Sequence, residues 1–229
     1  MAGVNRARVA PADKHDKRRS ELAESALRTL GELGYARTSL REIANISEFS
    51  HGVVHYYFAD KLELIVYCVR YYKARCVTRY DDVISGATSA DGLLDAFSAK
   101  LAETIRDEGP MHSLWYDLRS QSMFEPGLRE AVTLIDRTLE AMIWRVLRRY
   151  ADLAGQDIRL SAAAAYAMLD GLFQQALLGH VAGRADALDG LSQQVRGVIP
   201  LMLTAGDAII ENSGRCSVQG ASNRPAGAA

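Results

Sequence analysis

The sequence predicts an all-α fold, on three observations. Apolar residues recur at steps of three and four along nearly the whole chain, and no stretch alternates apolar with polar over a useful strand length. Helix-ending residues punctuate that pattern at Gly34, Gly86, Gly109-Pro110 and Pro126-Gly127.

The elements follow in order. Residues 1–16 are expected to form a flexible basic arm. Leu22, Ala26, Leu30 and Leu33 share one helical face, so a first helix is expected over 17–33 with its stop at Gly34. Ser39 followed three residues later by Glu42 has the form of a capping box and opens a second helix that runs to Ile46. Ser50 caps a third over 51–57, and Asp60 caps a fourth that carries Leu62 through Ile84 to Gly86 as a long connecting rod. A second helical body then follows, with helices at 91–108, 111–124, 128–154, 161–184 and 188–210. Pro200 lies inside the last of these and predicts a kink or break there. Residues 212–229, rich in Gly, Ser, Asn, Ala and Pro, read as a disordered tail.

Composition sets bounds on this. Of the 229 residues, 48% are apolar and 24% charged, enough for a substantial core. No run approaches the roughly 18 apolar residues that a membrane span needs, and the first 17 residues lack the apolar centre of a signal peptide, so a cytoplasmic protein with no membrane partner is expected. Cys68, Cys76 and Cys216 are too few and too scattered for a disulfide framework or a thiolate metal site, and read as buried or idle thiols. The net charge of −1 conceals a division: up to Tyr80 there are 14 basic and 9 acidic residues, a surplus of +5, and the rest carries −6. A basic front and an acidic back suit a polyanion-binding module attached to a different functional body.

Residues 38–61 sharpen that division. Two short capped helices joined by a tight turn are a helix-turn-helix, whose second helix enters the major groove of double-stranded DNA while the first crosses the backbone. In the groove helix, Val54 and Phe58 are the apolar anchors, packing onto Ile43, Ala44 and the first helix. His51, Gly52, Val53, His55 and Tyr56 are left outward, where imidazole and phenol donate to phosphates or base edges. Ser39 and Ser50 stand at helix N-termini, which suit a phosphate, and Lys61 adds a cation beside them. His51 and His55 have the i, i+4 spacing of metal ligands but lack a third ligand, so groove contact is the preferred reading and no metal is expected.

The pattern of Thr38, Ser39, Arg41, Ile43, Ala44, Ser50, Gly52, Tyr57, Phe58 and Lys61, with Gly34-Tyr35 upstream, resembles the TetR/AcrR family of one-component bacterial regulators. The likeness spans about 50 residues from Lys17. Ser47 and Glu48 depart from the family's Ala-Gly turn, Phe49 replaces Val, Val54 replaces Leu, and His55 replaces Tyr. A non-glycine residue in that turn costs about 1 kcal/mol where φ is positive.

The resemblance implies a homodimer with DNA-binding residues Ser39, Arg41, Ser50, His51, Gly52, Val53, His55, Tyr56 and Lys61. It divides the chain into a helix-turn-helix DNA-binding domain over 17–62 and a ligand-binding and dimerisation domain over 63–211. The effector cavity is expected from Phe97, His112, Trp115, Tyr116, Asp117, Phe124, Trp144, Asp170, Phe173 and Gln174, and an Asp facing the aromatics there would favour an amine-containing cation. The Ala-rich helix, with Ala162 to Ala165, Gly171, Ala176 and Gly179, permits close approach of a second copy. Leu169, Leu172, Leu177, Leu191, Val195, Val198 and Met202 supply apolar surface beside it.

These features imply a ligand-responsive repressor without cofactor, which binds a pseudo-palindromic operator and is released by a small-molecule effector. Two other readings compete. An enzyme would use His112, Asp117 and Asp170, but no nucleophile elbow, phosphate loop or metal triad accompanies them, so no catalytic residue is expected. A DNA-binding adaptor without a ligand would have a second body with no cavity.

Overall fold

The computed structural model describes residues 11–205. The expectations for 1–10 of the arm, for 206–211, for the tail and for Cys216 lie outside the described residues. α1 (Pro11–Arg37) begins before the expected 17, so 11–16 are helical. Gly34 interrupts it with φ 76° and ψ 173°, the left-handed side that glycine adopts without a Cβ penalty.

Next come α2 (Leu40–Ile46) and α3 (His51–Tyr57), both with the caps that the sequence predicts. Ser39 N donates to Glu42 at 2.7 Å while Glu42 N donates to Ser39 Oγ at 3.2 Å. The turn between them carries no left-handed cost at Ser47, whose φ is −91°. Its hydroxyl accepts from Phe49 N at 3.2 Å and so closes the turn from a side chain.

The expected rod is two helices, α4 (Lys61–Cys76) and α5 (Asp81–Gly86). The break falls at Thr78, whose hydroxyl turns back to the Arg75 carbonyl at 3.2 Å and competes with helix continuation. Conversely, the two helices expected at 91–124 are one, α6 (Ala90–Gln121), kinked at Glu108 with φ −131° and ψ 24°. Pro110 explains the kink, because it has no N–H and its ring crowds the carbonyl four residues back.

α7 (Pro126–Ala154) ends on left-handed Gly155, α8 (Ala162–Val181) is capped by Ser161, and α9 (Ala187–Leu201) stops just after Pro200 instead of continuing to 210. The chain then forms β2 (Leu203–Ala205), antiparallel to β1 (Gln156–Ile158), with Asp157 opposite Thr204. Three-residue strands are too short to show alternation in sequence.

One hydrophobic cluster runs from Leu22 through Leu147 to Met202. α2 and α3 pack on each other, α1 packs on α2, α4 and α6, and α6 packs in turn on α7, α8 and α9. Where α1 crosses the kink of α6, a Cβ on Gly31 would lie 3.2 Å from Pro110 Cβ and displace the end of the Met111 side chain, so glycine eases this approach. The kink therefore sits directly beneath the helix-turn-helix half.

Candidate DNA interface and internal cavity

α3 buries Val54 and leaves His51, Gly52, His55 and Tyr56 exposed, with Val53 half-buried. Tyr56 is 75% exposed, a large cost for an aromatic ring with nothing to cover it. His51 and His55 meet edge to face with ring centroids 4.4 Å apart. Ser39, Arg41 and Ser50 are exposed on the same helix pair, and the Ser50 hydroxyl accepts from Val53 N at 3.4 Å. Arg18 and Arg19 of α1 support the unit from behind. Arg18 stands 4.7 Å over the Phe49 ring, and Arg19 lies between Phe58 and Tyr67 while pairing with Glu63 at 2.5 Å.

Lys61 differs from the expectation of an outward cation. Its ammonium donates to the Tyr35 carbonyl at 2.5 Å and lies 4.2 Å from the centre of the Tyr35 ring. Partial burial lowers its pKa, against the pull of Glu42 and Asp117. Asp117, expected in the cavity, instead accepts from the backbone N–H of Tyr35 at 2.8 Å. These two contacts join the end of α1 and the start of α4 to the second half of α6.

The cavity lies among α4, α6, α7 and α8 and is lined by His112, Trp115, Tyr116, Asp170 and Phe173 from the expected set. Phe97, Phe124, Trp144 and Gln174 do not line it. Phe97 is buried against Tyr80 in the core, Phe124 is 81% exposed at the α6–α7 turn, and Trp144 and Gln174 are half-buried elsewhere. Lys73, Cys76, Arg79, Tyr80, Thr104, Tyr166 and apolar residues of α6, α7 and α8 complete the wall, and sequence reasoning missed them as cavity residues. A signal did exist in α4: Ile65, Val69, Lys73 and Cys76 share one stripe at steps of four, four and three, which places Lys73 inward.

Most polar groups at this wall are paired. Arg79 meets Glu108 at 2.6 Å, and the Tyr72 hydroxyl donates to the same carboxylate. Arg119 meets Asp170 at 2.5 Å and Asp136 at 3.5 Å; Tyr116 donates to Asp170 at 2.9 Å and Tyr166 to Asp136 at 2.7 Å. Burial and these carboxylates push the Tyr72, Tyr116 and Tyr166 phenols up. Burial pushes Glu108 up too, but its Arg79 and Tyr72 donors prevail and leave it low. His112 is held neutral, well below its ordinary pKa, by burial and then by the charges of Lys73 and Arg79.

Lys73 is the exception. It is 4% exposed, and its pKa falls to about 8 because burial outweighs the attraction of Cys76, Asp170 and Asp136. Among the described residues no group of three or more His, Cys, Asp or Glu is gathered to hold a metal, and no helix is long and apolar enough to cross a membrane.

Comparison with known proteins follows the same division. Residues 22–68 match the family described as "Bacterial regulatory proteins, tetR family", and residues 87–200 match "BetI-type transcriptional repressor, C-terminal". The HTH-type transcriptional regulator BetI of Burkholderia mallei (strain NCTC 10229) is 30% identical over 169 residues, covering 72% of this chain and 83% of its own. The BetI of Pseudomonas aeruginosa (strain LESB58) is 28% identical over 191 residues, covering 78% and 93%. Among solved structures, a TetR transcription regulator from Haloarcula marismortui ATCC 43049 superposes with a TM-score of 0.68 at 20% identity, over 82% of this chain and all of that one. FadR from Bacillus subtilis, solved in complex with stearoyl-CoA, gives 0.65 at 16% identity over 79% and 96%.

Proposed function

We propose that this chain, which belongs to the tetR family of bacterial regulatory proteins and is a transcriptional regulator of the TetR/BetI type, acts in the cytoplasm as a ligand-responsive repressor. A homodimer would bind a pseudo-palindromic operator, with residues 17–62 on the DNA and residues 63–211 taking effector and partner. The observation that carries this reading is the physical link between the end of α1, on which the helix-turn-helix packs, and a cavity: Asp117 grips Tyr35 one residue away from Tyr116, which lines the cavity.

The output side rests on Arg41, His51, His55 and Tyr56, exposed on one face with Ser39 and Ser50 at the helix starts. Phosphate contacts would set the register and base contacts the sequence, so affinity falls with added salt. Lys61 acts here as a brace and not as a phosphate ligand.

The partner side rests on α8 and α9. Leu169, Leu177, Leu191, Val195 and Met202 are buried within the chain and so are core. What α8 offers a second copy is Ala164, Met168, Gly171, Gln175 and Leu178, at helical spacing and without a charge, with Leu201 exposed on α9. Twofold symmetry would set the two α3 helices about 34–36 Å apart, one DNA turn.

An effector that prefers a state with α6 and α4 displaced would move that spacing. Coupling of about 1–3 kcal/mol, a factor of about 5–150, suffices.

The test is an electrophoretic shift with DNA flanking the protein's own gene, scanned for an inverted repeat. The full chain is expected to shift that DNA, and Tyr56→Ala to weaken the shift about tenfold with unchanged sedimentation. Equal affinity for unrelated DNA of the same length, or no effect of Tyr56→Ala, would remove α3 as the reading element.

A further inference from the structure

Three cations, Lys73, Arg79 and Arg119, stand against three carboxylates, Glu108, Asp136 and Asp170, around the cavity, but only the two arginines reach them. Arg79 is bonded to Glu108, and Arg119 to Asp170 and Asp136. Lys73 forms no ion pair and no hydrogen bond with any described residue, although it is 4% exposed and lines the cavity. Its ammonium has only ring faces for company, 5.0 Å from the Trp115 centroid and 5.6 Å from that of Tyr72. Trp115, on the same wall, is 2% exposed and its indole Nε1–H has no acceptor. Buried polar groups are almost always satisfied, so a buried ammonium that lines a cavity with no acceptor in reach marks the place of an absent one.

We infer that the cavity takes a small apolar monocarboxylate, whose carboxylate pairs with Lys73 and whose body lies against Trp115, Phe173 and the aliphatic residues of α7. This rests on the reading of the chain as ligand-responsive. A cationic effector, the chemistry expected if an Asp faced the aromatics, fits less well. Asp170 already accepts from Arg119 and Tyr116, and a second cation would meet the charge of Lys73. A phosphate dianion would find a single uncommitted cation. Size points the same way: the cavity measures about 70 Å³. On a scale where one water needs about 10–15 Å³, that is room for about five waters.

The experiment is isothermal titration calorimetry of the full chain against 3-methylbutanoate, hexanoate and benzoate, each beside its amide and its amine. Operator affinity is measured by fluorescence anisotropy with the same compounds. At least one carboxylate is expected to bind about 30-fold or more tightly than its amide, with its amine weaker still. Lys73→Met should erase that preference, leaving carboxylate and amide equal. The wild-type series alone decides the matter if Lys73→Met fails to fold. Binding of the amines or amides as tight as that of the carboxylates, or no binding by any carboxylate, overturns the inference. An amine that releases the operator would leave the ligand-responsive reading standing and the carboxylate wrong. A carboxylate that binds with unaltered operator affinity supports the site and sinks that reading instead.

Discussion

Lys73 shows what one buried charge does to a fold. Its pKa is about 8 in the folded chain against an ordinary 10.5, so the charged form is disfavoured by folding. Below pH 8 both folded and unfolded chains carry the proton and the cost is complete. Between about 8 and 10.5 the unfolded chain binds more protons, so stability rises with pH and levels off above. The gain is at most about 3 kcal/mol. Chemical denaturation is expected to show this rise in the wild-type chain and not in Lys73→Met, which should also be the more stable at pH 7; parallel pH profiles would count against it. The sequence stripe of α4 already placed Lys73 inward, but nothing in a sequence tells which inward lysine has a carboxylate opposite. Asp117 was legible as a functional residue and illegible in its role, because its partner is a backbone amide 82 positions away.

At the scale of elements, the short-range rules succeeded where a side chain acts on its own neighbours. Ser39, Ser50 and Asp60 all cap as spacing alone predicts, because a cap is a bond within one turn. Ser39→Ala removes the anchor of α2 and is expected to destabilise the fold by about 1 kcal/mol, lowering Tm by about 2–4 °C in a thermal melt. An unchanged Tm would show that α2 is held by Leu40 and Ile43 alone. The rules failed where a helix passes a weak former in a tertiary setting. α4 ends at Cys76, just before Thr78, yet the Gly109-Pro110 pair only bends α6, since His112, Leu114 and Trp115 beyond it are buried and keep the second arm seated. The strands escaped notice because two triplets far apart in sequence pair only once Pro200 has stopped α9.

The fold class and its division into a DNA-facing front and a helical back were legible from periodicity, capping and charge. Which residues close the cavity was not, because four helices contribute to it and their relative rotations are set by packing. The same holds for the outer face. Small residues in α8 suggested a close approach, but Leu169, Leu177 and Leu191 of the expected surface turned inward, and Met168, Leu178 and Leu201 stand exposed instead. Leu178, 58% exposed on an uncharged face, is the place to break a dimer. Leu178→Glu is expected to leave the circular dichroism of the chain intact and to shift sedimentation from dimer to monomer at micromolar concentration. A variant that still sediments as a dimer would move the interface away from α8.

Asp117 holds position 35 by its main-chain N–H, and Lys61 holds the carbonyl of that residue. Neither hydrogen bond depends on the side chain there, and neither involves His51, His55 or Tyr56. The groups that would choose a DNA sequence and the groups that tie the two halves together are therefore separable in descent. Mutation can rewrite α3 for a new target while the old link persists, which lets one back half serve a succession of gene neighbourhoods.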